Sequence, residues 1–215
     1  MSKYTISVTN QATYSANICL YQVYDELRDP SRVTYVWLSA PSVPHTGMVQ
    51  FSWNTQMEFM WCSDRTDLED KDMSIRSIQT MEAAPPHLNG ITLSREAGGG
   101  YLFSRPFKGN TPDGYIILMD NSVMAEDRVL VGLIQNGSPV TAVEAHPNTR
   151  ISFQQQAQLY MTYGFLNAGE IIDPDMHLDY SVKLDFQTRS QLHVSISEMN
   201  LLQVTSTSVP KNRFW

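Results

Sequence analysis

Hydrophobic and polar residues alternate with a period of two along much of this chain. The segment 4–9, for example, reads YTISVT, in which every second residue is apolar. Successive side chains of a β-strand point to opposite faces, so each such segment predicts a strand with one face on a core. The same alternation returns at residues 49–53, 57–61, 159–165, 180–186 and 192–196.

Three other segments are apolar at almost every position, namely 18–21, 115–119 and 129–134. Continuous apolar runs of this length are typical of central strands that are covered on both faces. The last of them is followed by Asn136 and Gly137, a residue pair that favours the tight turn of a β-hairpin. The sequence therefore predicts that residues 129–135 and the segment after Gly137 form a hairpin.

The many short strands and the turn residues between them predict an all-β fold. We expect one antiparallel β-sandwich domain over residues 1–215, jelly-roll or immunoglobulin-like, with at most one or two short helices. Long loops are expected at about 64–90 and 94–114, and an extended C-terminal tail from about residue 205. Residues 64–84 are the best helical candidate, but Asp and Ser are spread through them, which favours a loop.

Composition narrows the class of protein. Hydrophobic residues make up 42% of the 215 residues, which excludes a disordered chain. The formal charge of -7 argues against nucleic-acid or anionic-membrane binding driven by bulk charge. The sequence has no apolar stretch long enough for a transmembrane helix and no secretory signal, so a cytoplasmic location is the default expectation. Export by a route without a signal is the alternative.

The two cysteines, Cys19 and Cys62, lie within apolar runs. Two buried free thiols are the favoured interpretation, because no secretory signal points to an oxidising compartment. A disulfide between them is left open, since the sequence does not fix their distance.

Motifs for catalysis are absent from the sequence: it has no nucleophile elbow, P-loop or zinc motif, and no cofactor is predicted. His45, His146 and His177 lie in predicted loops and, with Glu170, are weak candidates for acid–base catalysis. Solvated turn positions are the more common role of such histidines.

An acidic group at Asp173, Asp175 and Asp179 is a weak candidate for calcium binding, because calcium takes six to eight oxygen ligands. A solvated loop is the favoured interpretation, and no other metal site is predicted.

Aromatic residues and methionines allow two interpretations. Trp37, Trp53, Trp61 and Met57 lie on predicted strands, mostly at core-facing positions, which favours a role in packing. The same side chains could instead form a platform for a sugar or line a cavity for an apolar ligand, so they are weak ligand-binding candidates.

Several segments resemble the RhiA family of rhizosphere-expressed proteins from plant-associated bacteria. They include MSKYTISVTNQ at the start, VTYVWLSAP at 33–41, VLVGLIQNGSPVTAVEAHPN at 129–148 and ISFQQQAQLYMTYGFLNAGEIID at 151–173. The resemblance implies a soluble all-β protein that is linked to quorum-sensing operons and to interaction with a plant host. It implies no catalytic residue.

The favoured function is a non-catalytic binding or interaction protein in bacterium–host association, with a carbohydrate, a small apolar molecule or a host protein as ligand. A cofactor-independent isomerase or cyclase with a pocket in the sandwich is the first alternative. A host-directed toxin or self-assembling protein is the second. Few lysines are available to protect edge strands, which favours a homo-oligomer such as a dimer.

Overall fold

The computed structural model describes residues 3–24, 31–63, 79–85, 87–104, 106–110, 114–154, 157–186 and 189–205. These residues form seventeen strands and one short α-helix. The strands are β1 (Lys3–Asn10), β2 (Ala16–Val23), β3 (Val33–Val43), β4 (Met48–Asn54), β5 (Met57–Ser63), β6 (Gln79–Ala83), β7 (Gly90–Arg95), β8 (Tyr101–Phe103), β9 (Gly114–Met119), β10 (Val129–Gln135), β11 (Ser138–Glu144), β12 (Arg150–Gln154), β13 (Gln158–Gly164), β14 (Ile171–Ile172), β15 (Val182–Leu184), β16 (Gln191–Ile196) and β17 (Leu202–Thr205). The helix is α1 (Pro174–His177), and 3-10 turns lie at Ala125–Asp127 and Leu178–Tyr180.

The strands of the described residues form three sheets. Sheet I has the order β17-β16-β1-β4, and sheet III has the order β12-β9-β7-β8. Sheet II has nine strands in the order β15-β13-β2-β3-β11-β10-β5-β6, with β14 paired to β3. One core cluster contains side chains from all three sheets, whereas the two smaller clusters belong to the opposite face of sheet II. Sheets I and III therefore pack on the same face of sheet II.

The all-β sandwich predicted from the alternation is confirmed, but the strands are not purely antiparallel. Strand β1 runs parallel to β16, and β7 runs parallel to β9. Each parallel pair joins strands that are not consecutive in the sequence, so neither is a hairpin. In β1 the alternate residues Ile6 and Val8 enter the core, as the period of two predicts.

The predicted hairpin is confirmed at Asn136 and Gly137. Their φ angles are 51° and 75°, the left-handed values that a type I′ turn requires. Gln135 and Ser138 pair directly across the turn, so β10 and β11 are joined by a two-residue loop.

The strands predicted to be covered on both faces are confirmed as well. In β2, Ile18 and Leu20 enter the main core, while Cys19 and Tyr21 pack in a second cluster on the opposite face. Strands β9 and β10 are similarly buried along most of their length.

Two strands lie within segments predicted as long loops. The described end of the helical candidate 64–84 forms β6, which pairs with β5, and residues 64–78 lie outside the described residues. Strand β8 lies within the predicted loop 94–114 and pairs with β7. A neighbouring strand supplies backbone hydrogen bonds that local sequence preferences do not anticipate. The predicted tail from about 205 also lies almost wholly outside the described residues.

A bulge in β3 explains how one tryptophan reaches the core. Leu20 pairs with Leu38, but the next residue of β2 pairs with Val36, so Trp37 is an additional residue in β3. Its side chain is fully buried between sheets I and II, where its ring lies 5.3 Å from that of Trp53. Among the described residues, no helix is long and apolar enough to cross a membrane.

Candidate functional site

A cleft of about 530 Å³ lies at one end of sheet I. It is formed where β1 ends and where β3 turns into β4 and β16 turns into β17. A volume of this size falls within the range of small-molecule sites. The cleft is lined by Gln11, His45, Thr46, Ser197, Glu198, Met199, Leu201 and Gln203.

Asn10 fixes two of the loops that form the cleft. Its buried side-chain amide donates hydrogen bonds to the carbonyl oxygens of Tyr14 at 3.0 Å and Val43 at 2.9 Å. Its side-chain oxygen accepts from the backbone N–H of Ala12 at 3.0 Å, and its carbonyl accepts from that of Thr46 at 2.7 Å. Because a buried amide must be paired, these contacts define the positions of both loops.

His45 is held in one orientation by the first of these loops. Its Nδ1 lies 2.8 Å from the carbonyl oxygen of Ala12. A carbonyl oxygen only accepts hydrogen bonds, so Nδ1 carries a proton and donates. In the neutral imidazole Nε2 is then the atom with a free lone pair, able to accept a hydrogen bond or a proton.

The turn between β16 and β17 supplies the other side of the cleft. Asn200 has a left-handed φ of 61°, and the backbone N–H of Leu201 donates to Ser197 Oγ at 3.1 Å. The carbonyl of Asn200 also accepts from the hydroxyl of Tyr163 at 2.6 Å, which ties the turn to sheet II. This rigid turn presents two apolar side chains, since Met199 is 79% exposed and Leu201 is 56% exposed.

Of the predicted acid–base candidates, only His45 lies in the cleft. His146 follows β11 in a different connection, and its side chain is exposed. Glu170 and His177 lie between β13 and β15, where Glu170 accepts from the side chain of Asn167 at 2.9 Å. The Nδ1 of His177 lies 2.9 Å from the carbonyl oxygen of Asp173. Because β14 separates Glu170 from His177, the four candidates are distributed over four separate connections.

The predicted acidic group lies at α1. Asp173 is the N-cap of this helix, and its carboxylate accepts from the backbone N–H of Asp175 at 3.0 Å. Asp179 lies in the 3-10 turn that follows the helix. Within the described ranges, no three His, Cys, Asp or Glu side chains lie close enough together to hold a metal ion.

The aromatic and methionine candidates lie in the interior. Trp37, Trp53, Trp61 and Met57 are all buried in the main core. The indole N–H of Trp37 donates to the carbonyl of Gln135 at 2.8 Å, and that of Trp61 donates to Gln79 Oε1 at 2.9 Å. A platform for a sugar needs an exposed ring face, which none of these four side chains offers.

The interior also contains a polar network that sequence analysis missed. Gln22 Nε2 donates to Gln135 Oε1 at 2.5 Å, and Gln135 Nε2 donates to the carbonyl of Asn54 at 2.7 Å. The hydroxyl of Tyr24 donates to Gln22 Oε1 at 3.2 Å, and burial raises the pKa of that hydroxyl. The network links sheet II to β4 of sheet I, and among the described residues no buried side-chain nitrogen or oxygen lacks a hydrogen-bond partner.

Both cysteines are free and buried, which confirms the favoured interpretation. Burial, with a smaller contribution from the charge of Glu170, raises the pKa of the Cys19 thiol to about 12. Cys19 is therefore protonated at neutral pH and unreactive as a nucleophile.

Seven of the eight residues that line the cleft were not candidates in the sequence. The turn residue Asn200 could have indicated the hairpin between β16 and β17, since Asn tolerates the left-handed conformation. Nothing in the sequence, however, places this turn beside Gln11 and Thr46, because the two regions are far apart along the chain.

Comparison with known proteins assigns the family. The family model described as RhiA matches residues 1–207, which is most of the chain. The chain therefore belongs to the RhiA family. No curated protein and no solved structure matches it.

Proposed function

We propose that this member of the RhiA family is a non-catalytic binding protein in bacterium–host association, and that its ligand occupies the cleft at the end of sheet I. The observation that carries the proposal is the combination of side chains in the cleft. The side chains of Gln11, Thr46 and Gln203 can each donate and accept hydrogen bonds. Met199 adds exposed apolar surface. Ligand sites typically combine a few polar groups with apolar contact surface in this way.

Rigidity of the surrounding loops supports the same function. Asn10 fixes the loops after β1 and β3, and the turn at Asn200 is closed by hydrogen bonds within residues 197–201. A site that is already shaped loses less conformational freedom when it binds its ligand, which increases affinity. A ligand that covers Met199 and Leu201 would also remove apolar surface from water, which favours binding.

The test compares two exposed methionines, Met199 in the cleft and Met176 on α1. The protein is titrated with neutral oligosaccharides and with the apolar dye anilinonaphthalene sulfonate, and backbone amide shifts are followed by NMR. We expect shifts at residues 10–15, 44–48 and 197–203 for at least one probe. Met199→Ser should weaken that binding about tenfold, and Met176→Ser should leave it unchanged. Shifts outside the cleft, or equal effects of the two variants, would contradict the proposal.

A second candidate function is proton transfer on a small metabolite without a cofactor. It is favoured by the fixed orientation of His45, whose Nε2 is available as a base, and by Glu198 in the same cleft. The test follows incorporation of deuterium from heavy water into a panel of aldoses and ketoses. A binding protein should give none. Incorporation by the wild type and by His146→Gln, but not by His45→Gln, would establish the enzymatic function instead.

A homo-oligomer, a host protein partner and host-directed toxicity stay predictions. The proposed ligand site bears on none of them.

A further inference from the structure

Apart from Lys3 and Met48, the outward face of sheet I is a regular array of uncharged polar side chains. Strand registers place alternate residues of 3–9, 48–54, 191–195 and 203–205 on this face, and we call it the polar face. One row across the four strands runs Gln50, Ser7, His193, Thr205. Neighbouring strands are about 4.8 Å apart and alternate residues about 6.8 Å apart, so the array repeats in two directions.

Charge is almost absent from the polar face. The chain contains 22 Asp and Glu residues, yet none points outward at these described strand positions, where the ionisable side chains are His193 and Lys3 at the start of β1. A cationic ligand would thus find no carboxylate on the polar face, and an anionic ligand would find a single lysine, at the end farthest from the cleft.

The hydrogen-bonding capacity of the polar face is largely unused. Thr5 Oγ1 and Ser52 Oγ lie 3.3 Å apart, but within the part of the chain that the structure describes, the side chains of Ser7, Thr9 and Gln50 make no hydrogen bond to protein. Hydroxyl and amide groups both donate and accept, which suits them to ligands that are themselves covered with hydroxyl groups.

The polar face continues into the cleft. Gln203 belongs to both, and Gln11 and Ser197, which line the cleft, follow directly after the ends of β1 and β16. From Thr5 to Gln11 the surface extends six residues, or about 20 Å at the usual rise of a strand. This length exceeds what a single sugar ring or another small molecule needs.

We infer that the ligand is a neutral polysaccharide chain that lies along β1 and β16 on the polar face and ends in the cleft. The inference rests on the proposed function and specifies its ligand class. Hydroxyl and amide side chains bind the sugar hydroxyl groups, and Met199 and Leu201 contact the apolar side of the terminal sugar. Glu198 in the cleft repels acidic sugars.

The experiment is titration calorimetry with β-1,4-linked glucose, mannose and xylose, each as monosaccharide and hexasaccharide, and with a galacturonic acid hexasaccharide. The variants are Ser52→Glu on the polar face, remote from the cleft, and Ser152→Glu as a matched exposed strand position of sheet III. We expect a neutral hexasaccharide to bind at least tenfold more tightly than its monosaccharide. Ser52→Glu should remove that advantage and leave monosaccharide binding unchanged, and Ser152→Glu should change neither.

Four results would overturn the inference. They are equal effects of the two variants, preferred binding of the galacturonic acid hexasaccharide, absence of sugar binding, and self-association through the polar face that Ser52→Glu abolishes. If the dye binds in the cleft and Met199→Ser weakens its binding while no sugar binds, the proposed function stands and only the polysaccharide inference fails. If no probe binds, both fail.

Discussion

Sheets I and III have similar strand arrangements, but their outward faces differ in polarity. Each has four strands, contains one parallel pair and covers part of sheet II. On the outward side of sheet III, Ile116 is only 2% exposed and lies against Gly109, where an added Cβ would come within 2.4 Å of Ile116 Cδ1. On the outward side of sheet I, the corresponding position of β1 holds Ser7, which faces solvent in part.

The difference shows how the sequence of a strand decides whether a sheet face is open to bind a ligand. Strand β9 is apolar on both faces, so its outward side must be covered by the chain itself, here by residues near 107–109. Strand β1 alternates apolar and polar residues, so one face joins the core and the other needs no cover. Sheet I therefore keeps an accessible face beside the cleft.

The largest effects on stability should come from the main core, to which sheets I, II and III all contribute. Trp37 packs between sheets I and II, and Phe153 of sheet III packs on Tyr24, the residue that follows β2 of sheet II. Trp37→Ala and Phe153→Ala should each lower the free energy of unfolding by about 3–5 kcal/mol, because both leave large cavities. Denaturant unfolding followed by far-ultraviolet circular dichroism measures this loss. Two separate unfolding transitions, rather than one, would show that sheets I and III do not share a single cooperative core.

The next largest effect compares the two outward faces directly. Ile116→Ala should cost about 2–5 kcal/mol, because Ile116 is buried under the chain that covers sheet III. Ser7→Ala should change the free energy of unfolding by less than about 0.5 kcal/mol. The reason is that the Ser7 side chain is partly exposed and makes no hydrogen bond to the described residues. The same denaturation experiment measures both. A large loss for Ser7→Ala would mean that the polar face is packed against something, and the comparison would fail.

The sequence was sufficient for much of the fold and little of the site. Alternation in β1, the apolar run of β9 and the Asn136–Gly137 turn each depend on neighbours in the chain, so local patterns predict them. The parallel pairing of β1 with β16 joins segments almost two hundred residues apart, which no local pattern records. The cleft and the polar face both depend on that pairing, and so among the cleft residues only His45 was a candidate.

A smaller effect distinguishes two buried asparagines, Asn10 at the end of β1 in sheet I and Asn89 directly before β7 of sheet III. Asn10 fixes the cleft loops, and Asn89 donates to the carbonyl of Gly114 at 2.7 Å and accepts from the N–H of Gly109 at 2.8 Å. Replacing either by Ala leaves buried groups unpaired and should cost about 1–3 kcal/mol. Only Asn10→Ala should also weaken binding in the cleft, by at least tenfold.

These variants are checked by thermal unfolding and by titration with whichever probe binds the wild type. Equal loss of binding in Asn10→Ala and Asn89→Ala would mean that general destabilisation, rather than the position of the cleft loops, controls affinity.

The smallest effect is a loss of stability at high pH. It arises from buried tyrosines at the contact between sheets II and III. Burial raises the pKa of Tyr115 from 10 to about 12, and burial also raises the pKa of Tyr24, which packs on Phe153 of sheet III. The unfolded chain releases these protons near pH 10, whereas the folded chain holds them. Stability is thus complete below pH 10 and is lost as the pH rises from 10 to 12.

Tyr115→Phe isolates one part of this loss. Cys19, with its pKa raised to about 12, contributes in the same direction from about pH 9 and is present in both proteins, so its effect cancels. Between pH 8 and 11 the wild type should lose about 1 kcal/mol more than Tyr115→Phe, measured by urea unfolding at each pH. Identical losses would show that the Tyr115 hydroxyl reaches water in the folded protein, and that the interior beneath sheet III is less closed than its outward cover suggests.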